Sequence, residues 1–348
     1  MQDRMNVVMV AGLAAGLLFA APVAAPAQTV DGPVVSWDMA LFGTSRGGSR
    51  VFDETAKMVS EATGGKFTIK LHYGETLSPA KEFLDGLSIG AFQSAWVTPS
   101  YTPGRQPGVG GLDLPVLPVN SMKALMELQH NYLLLPELEG DFKRWNTKYI
   151  APCTLPLYEF IGKGTPIQTV NDFKGKRLRA LGGLGDVMRA VGAAPNSLPS
   201  PELYGALDRG LLDGMAFPFY AVASFKLHEI SQWYTKGFAF PSPISFLAVG
   251  SKPFDALPPQ YQKLLIEAGP KAARIQIEGL DEIEAKSEAQ FIARGVKTIA
   301  IAPATREELI QRTSQAVFDK WVKEVTAQGY PGQKLLDYLI TQSKKLSS

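Results

Sequence analysis

An alternation of strand-like and helix-like segments, begun twice along the chain, constrains the fold more than any other feature. Between Val34 and Val97, three apolar or alternating segments are separated by two segments with apolar residues every three or four positions. This order predicts a βαβαβ unit with a mostly parallel sheet and helices on its faces. A similar order begins again after about residue 150. The sequence therefore predicts two α/β lobes, and the absence of a low-complexity linker predicts several crossings between them.

The last third of the sequence adds two helix predictions. Leu257-Pro258-Pro259 opens a long helical pattern, which Gly269-Pro270 is expected to bend because proline removes a backbone donor. Residues 305–328 are predicted to form the terminal helix.

Residues 1–27 have the pattern of a secretory signal peptide. Arg4 precedes an apolar run from Val7 to Ala21, and Ala25-Pro26-Ala27 supplies the small residues of a cleavage site. The run is shorter than the ~20 residues that a membrane-spanning helix needs. The sequence therefore predicts export to the periplasm with cleavage near Ala27.

Charge, cysteine content and motifs exclude several functional classes. The chain has 35 Lys and Arg against 33 Asp and Glu without a long run of either sign, which argues against a nucleic-acid partner. Its one cysteine, Cys153, permits neither an intrachain disulfide nor a thiolate metal cluster. The three histidines lack metal-ligand spacing, and there is no P-loop or G-x-S-x-G elbow. We therefore expect no cofactor, no metal and no catalysis, with a secreted α/β enzyme as the alternative.

Two arginines on a predicted strand offer a way to bind a carboxylate. Arg177 and Arg179 are two residues apart, so their side chains share one face of the strand. Ligands of α/β sheets bind in a crevice at the strand ends, and a guanidinium holds a carboxylate by two parallel hydrogen bonds. On this pattern alone, solvent-exposed arginines on a surface strand are the alternative.

Several motifs resemble those of TRAP (tripartite ATP-independent periplasmic) transporter solute-binding proteins. The motifs are DFKGKRLR (172–179), VGA (191–193), ELYGAL (202–207) and LDG (212–214), in the order of that family. The resemblance implies a periplasmic binding protein-like fold, in which hinge strands and a long helix join two α/β lobes. It implies that lobe I comprises residues 28–152 and 243–283, and lobe II residues 153–242 and 284–348.

The same resemblance implies a receptor that closes on a small organic acid and then docks on TRAP membrane permease subunits. Arg179 falls on the arginine that clamps the ligand carboxylate in that family, whereas Arg177 falls on a basic position that contacts the ligand less often. A monomer is the expected form of such a receptor. A sensor subunit with the same clamp is an alternative.

Five aromatic residues fall at or near positions that line the cleft in that family. They are Phe42, Trp96, Tyr158, Phe217 and Phe240. Together they predict an aromatic or apolar pocket for a monocarboxylate with an aromatic or hydrophobic body, or for a 2-oxo acid; core packing is the alternative for each. A sugar acid would leave hydroxyls unpaired at about 1–3 kcal/mol each. A C4-dicarboxylate would need a second cation, from Arg46 or Arg177.

Overall fold

The computed structural model describes residues 29–115, 117–119 and 121–347. The predicted signal peptide lies outside these residues. Within them the strands are β1 (Val35–Ala40), β2 (Phe67–His72), β3 (Ser94–Val97), β4 (Thr147–Pro152), β5 (Glu159–Gly162), β6 (Arg177–Arg179), β7 (Ala194–Asn196), β8 (Gly214–Phe217), β9 (Trp233–Lys236), β10 (Phe246–Gly250) and β11 (Lys297–Ala300).

The helices alternate with these strands, as the sequence pattern predicts. They are α1 (Arg50–Ala62), α2 (Phe83–Ile89), α3 (Met122–Leu133), α4 (Glu139–Lys143), α5 (Gly182–Ala190), α6 (Leu203–Asp208), α7 (Phe219–Ser224), α8 (Ser251–Asp255), α9 (Pro259–Ile277), α10 (Leu280–Ala293), α11 (Pro303–Ala327) and α12 (Gly332–Ser347). None of these described helices has the length and apolar character that crossing a membrane requires.

The strands form two mixed sheets, one in each lobe. The first has the order β2-β1-β3-β10-β4, and the second has the order β11-β9-β5-β8-β6-β7. β1 is parallel to β2 and β3, and β6 is parallel to β7 and β8, as a βαβ pattern requires. β10 and β5 run antiparallel to both of their neighbours. The other described strands of each sheet run in one direction, so both sheets are mostly parallel, as predicted. β10 and β5 run against them because they arrive from the other lobe without the crossover helix that makes neighbours parallel.

Two extended segments, here called the hinge strands, cross side by side between the sheets. Residues 153–158 lead from β4 to β5, and residues 237–245 lead back from β9 to β10. Tyr158 and Phe240 exchange backbone hydrogen bonds of 2.7 and 3.1 Å, and the Cys153 amide donates to the Ser245 carbonyl over 2.8 Å. The lobes are thus joined by a hydrogen-bonded pair of strands, which confirms the predicted hinge.

A third crossing is made by α9 and α10. α9 packs on α1 and β4 of the first lobe, whereas α10 packs on α7 and β11 of the second. The helices are separated at Gly279, whose φ of 76° suits glycine, whereas Gly269-Pro270, where the sequence predicts a bend, lies inside α9. Gly269 serves close packing instead, because an added Cβ would lie 2.7 Å from the Ile150 side chain. Two helices therefore replace the single long helix.

The C-terminal residues return to the first lobe. The predicted terminal helix is α11, but α12 follows it and packs on α3. Lys334 pairs with Glu137 over 2.5 Å, and the Tyr330 hydroxyl donates to the Asp141 carboxylate in α4. The prediction assigned residues 284–348 to lobe II. α12 departs from this assignment because it packs on α3 of the first lobe. The other lobe boundaries stay a prediction.

Candidate ligand-binding cavity between the lobes

A cavity lies between the lobes, beside the hinge strands. Strand ends from both sheets converge on it. Phe42 follows β1 and Trp96 lies near the end of β3, whereas Arg179 ends β6 and Phe217 ends β8. This is the carboxyl edge of the parallel strands, where α/β sheets hold their ligands. The described residues that line it are Phe42, Arg46, Trp96, Thr98, Tyr101, Leu155, Tyr158, Arg179, Leu181, Ser200, Phe217, Tyr220, Ala221, Pro243 and Ser245.

Arg179 is a buried cation in this cavity, with only 1% of its surface exposed. Its Nε donates to the Leu198 carbonyl and its Nη1 to the Ala216 carbonyl, each over 3.2 Å. Its Cζ lies 5.0 Å from the centre of the Phe217 ring. The carbonyls fix the plane of the guanidinium and use two of the five N–H groups that it carries. No aspartate or glutamate is among the described residues that line the cavity, so a carboxylate ligand would supply the missing negative charge.

Aromatic rings form walls on both sides of the cavity. In the first lobe the Phe42 and Trp96 rings are 4.2 Å apart, and in the second lobe Tyr158 meets the Phe217 ring edge-on at 5.9 Å. Burial raises the pKa of Tyr158 to about 12, against the opposing charge of Arg179. The Tyr158 hydroxyl is therefore neutral at physiological pH and can donate to a ligand oxygen.

The structure brings five of the seven predicted site residues together and leaves two outside. Phe42, Trp96, Tyr158, Arg179 and Phe217 line the cavity.

Arg177 and Phe240 do not line it. The Arg177 side chain, half exposed, pairs with Asp213 over 2.5 Å. It begins β6, two residues before Arg179, so it lies about 6.6 Å along the strand from the ligand edge. The Phe240 ring is fully buried and packs against Phe160 and Phe238 in the core of the second lobe, although its backbone pairs with Tyr158.

Arg46 is the main residue that the predicted site omitted. It lies in the turn after β1, and its Nη1 donates to the carbonyls of Phe42 and Thr44 over 3.0 and 2.8 Å. Its Cζ lies 4.7 Å from the Trp96 ring centre and 5.0 Å from that of Phe225. A polar, glycine-rich turn directly after a buried strand was the signal that could have placed Arg46 here, because such turns lie at the ligand edge of the sheet.

Contacts between the lobes close the mouth of the cavity. Tyr101 of the first lobe and Ser200 of the second are joined through their hydroxyls over 3.0 Å. Lys81 pairs with Glu202 over 3.5 Å, and Arg46 reaches Phe225 across the cleft. The two lobes are thus in direct contact beside the cavity.

Glu284 of α10 positions one wall of the cavity from behind. Its carboxylate accepts hydrogen bonds from the Phe219 and Tyr220 amides, over 3.0 and 2.7 Å, at the start of α7. Burial raises the pKa of Glu284 to about 7, although the two amides lower it. The α7 residues Tyr220 and Ala221 line the cavity. The orientation of this wall thus depends on a carboxyl group that titrates near neutrality.

We expect the Glu284→Gln variant to lose part of the pH dependence of stability. Between about pH 4.5 and 7 the folded state holds a proton on Glu284 that the unfolded state has released, so the free energy of unfolding falls as the pH rises. At about 1.4 kcal/mol per pH unit for one proton, Glu284 contributes a fall of about 2 kcal/mol between pH 5 and 8. Urea unfolding at both pH values measures it.

The matched control for this prediction is Glu282→Gln on the same helix. Glu282 is largely exposed and pairs with Lys286, so its variant should keep the wild-type pH dependence above pH 5. An equal slope in wild type and Glu284→Gln would contradict the assignment.

Two α/β lobes, a paired hinge and a cationic cavity between them define the class of solute-binding proteins. The model of the family described as bacterial extracellular solute-binding protein, family 7, matches residues 48–324. The chain belongs to this family, the solute receptors of TRAP transporters, as the sequence motifs predict. Members of the family are receptors, not enzymes, and work with membrane permease components.

Characterised relatives are similar over most of the chain. The monocarboxylate 2-oxoacid-binding periplasmic protein of Nostoc sp. (strain PCC 7120) is 24% identical over 294 residues, 82% of this chain and 78% of its own. A TRAP solute-binding protein of Rhodoferax ferrireducens T118, solved with copurified benzoate, has a TM-score of 0.80 and 23% identity. The match covers 90% of this chain and 98% of that one.

A second solved structure is a TRAP solute-binding protein from a marine metagenome (unidentified microbe), specific for aromatic acid ligands and co-crystallised with 3-hydroxybenzoate. It has a TM-score of 0.82 and 19% identity, and the match covers 91% of this chain and 100% of that one. The structural likenesses confirm the two-lobed periplasmic binding fold.

Proposed function

We propose that this receptor binds a small monocarboxylate with an aromatic or hydrophobic body, or a 2-oxo acid, in the cavity between its lobes. The observation that carries the proposal is the buried Arg179 guanidinium, which is held by two backbone carbonyls and faces a cavity without a lining acid. A ligand carboxylate would accept parallel hydrogen bonds from the donors that the carbonyls leave unused.

The aromatic walls favour an apolar ligand body. Phe42 and Trp96 on one side and Phe217 on the other present ring faces and edges to the cavity. Covering apolar ligand surface gains about 25 cal/mol per Å² before the costs of association. The relatives that bind 2-oxo acids, benzoate and 3-hydroxybenzoate support this choice of ligand class.

One alternative ligand class is favoured by a specific observation. The C4-dicarboxylate alternative needs a second cation, and Arg46 lines the cavity from the first lobe, whereas Arg179 comes from the second. A sugar acid fits the walls less well, because ring faces cannot form hydrogen bonds with its hydroxyls.

The alternative of an enzyme is disfavoured by the state of the one cysteine. Burial raises the pKa of Cys153 to about 12, so its side chain is a thiol and not a nucleophilic thiolate at neutral pH.

The cellular setting follows the relatives. We propose that the protein is exported to the periplasm, cleaved near Ala27, and passes its ligand as a monomer to TRAP permease subunits. The periplasmic Nostoc relative supports this location. A receptor for signalling would use the same clamp; copurification of this protein with permease subunits would support transport, and its absence would support sensing.

Thermal unfolding of the protein from Gln28 onward, with a panel of acids, tests the proposed ligand class. The panel contains aromatic acids, branched 2-oxo acids, C4-dicarboxylates and sugar acids. A ligand at 100 times its Kd stabilises the folded state by about 2.7 kcal/mol. We expect stabilisation by aromatic or 2-oxo acids; stabilisation by sugar acids alone would overturn the proposed pocket, and no stabilisation by any acid would overturn the proposed function.

A further inference from the structure

Two hydrogen-bond donors in the first-lobe wall of the cavity lack an acceptor. Within the described part of the chain, Arg46 Nε and Trp96 Nε1 are buried and have no hydrogen-bond partner. Trp96 is 1% exposed, and both residues line the cavity that holds Arg179. A buried donor without an acceptor costs about 1–3 kcal/mol, and more when it is charged. An acceptor placed between these two donors would remove this cost.

The two donors belong to one cluster. The Arg46 guanidinium lies over the Trp96 ring, with Cζ 4.7 Å from the ring centre, and Phe42 packs against Trp96 at 4.2 Å. Only Nη1 of Arg46 is engaged, with the carbonyls of Phe42 and Thr44. These bonds hold the guanidinium in place, so Nε and the indole N–H form a fixed pair of donors.

This pair lies on the opposite side of the cavity from the carboxylate clamp. Arg179 comes from β6 of the second lobe and lies over Phe217, whereas Arg46 and Trp96 come from the first lobe. Phe217 lies 6.0 Å from Phe225, the second-lobe ring that Arg46 covers. The two guanidinium groups therefore come one from each lobe, and each contacts one ring of the neighbouring Phe217 and Phe225 pair.

We infer that the ligand carries a second oxygen acceptor, remote from the carboxylate that Arg179 binds, and that Arg46 Nε and Trp96 Nε1 donate to it. This inference rests on the proposed function and narrows its ligand class. Both groups only donate, so the ligand group must accept: a hydroxyl, a carbonyl or, best matched to the charge of Arg46, a second carboxylate. Unsubstituted acids such as benzoate would leave both donors unpaired.

The same contacts give the acceptor a role in closure. Arg46 covers Phe225 of the second lobe only when the lobes are together. A ligand that bonds to Arg179 on one lobe and to Arg46 and Trp96 on the other links both lobes directly. Its two polar ends are satisfied together only in the closed form, which is the differential interaction that shifts the population toward closure.

Calorimetric titration with matched acids tests this inference. The acids are benzoate, 3- and 4-methylbenzoate, the nearly isosteric 3- and 4-hydroxybenzoates, and benzene-1,3- and 1,4-dicarboxylate. We expect at least one acceptor-bearing acid to bind about tenfold or more tightly than the methyl acid with the same substitution. In Arg46→Met and Trp96→Phe this preference, measured as the ratio of the two affinities within each variant, should fall to about threefold or less.

Two control variants distinguish the loss of the Arg46 and Trp96 donors from the loss of any arginine or any buried indole in the first lobe. Arg50→Gln removes a nearby surface arginine that pairs with Glu54, and Trp37→Phe removes a buried indole of the first lobe that does not line the cavity. Both should keep the wild-type preference. If Trp96→Phe fails to fold, Arg46→Met alone decides the question.

The contrary outcomes are distinguishable. If methyl acids bind as tightly as their acceptor-bearing partners, or if the preference persists in both variants, the second acceptor is refuted while the proposed function stands. If no acid of any class binds the wild-type protein, the proposed function fails and the second acceptor fails with it.

Discussion

The Arg179→Met variant is expected to lose its acid ligand, with binding weakened by about 2–5 kcal/mol. Arg179 is buried, its guanidinium plane is fixed by the Leu198 and Ala216 carbonyls, and no lining acid competes for it. Methionine keeps much of the side-chain volume but offers no donor, so the carboxylate would be desolvated without compensation. Isothermal titration with the tightest acid of the panel measures the loss.

Arg177→Met is the matched control, because it removes the same group two residues away on the same strand. Arg177 is half exposed and pairs with Asp213 outside the cavity, so ligand affinity should change by less than about 0.5 kcal/mol. Retained binding in Arg179→Met, or an equal loss in Arg177→Met, would mean that the clamp lies elsewhere.

Glu159→Ala is expected to destabilise the folded protein by about 3–5 kcal/mol. Glu159 begins β5 and is 8% exposed, and its carboxylate accepts from the amides of Gly237, Phe238 and Ala239 over 2.8–3.3 Å. The Thr235 hydroxyl donates to it as well, over 2.7 Å. Alanine would leave these donors unsatisfied at the point where the second hinge strand begins.

Urea unfolding of wild type, Glu159→Ala and Glu159→Gln measures this effect. Glutamine keeps one carbonyl oxygen for the Gly237 and Ala239 amides, so it should cost less than alanine. A loss below about 1 kcal/mol in the alanine variant would show that water or a local shift satisfies the three amides.

Most of the fold was accessible from the sequence because local patterns determine local elements. Alternating apolar residues located β2, and Gly90, with φ of 78°, is the kind of glycine that marks the end of a helix such as α2. Pattern could not show the antiparallel entry of β5 and β10, because the direction of a strand that arrives from another lobe depends on the whole chain path. The break at Gly279 was missed for a related reason: Gly269-Pro270 is the stronger local signal, yet it serves contact with β4.

The site could be predicted only in part from the sequence. Arg179, Phe217 and Trp96 lie at strand ends, where the resemblance and the sheet rule agree. Phe240 shows the limit, since a hinge residue can pair its backbone beside the cavity and still turn its ring into the core. For Arg46 the sequence indicates a turn after a buried strand, and hence the ligand edge, but not the direction in which the side chain leaves that turn.

The place of β10 in the chain has a consequence for the order in which the protein can form. β10 lies between β3 and β4, yet residues 246–250 follow β4 by about a hundred positions and β3 by about 150, and come after most of the second lobe. A nascent or partly exported chain that ends before β10 holds β3 and β4 with open edges and no partner between them. The sheet of the first lobe therefore cannot be completed until most of the second lobe has been synthesised.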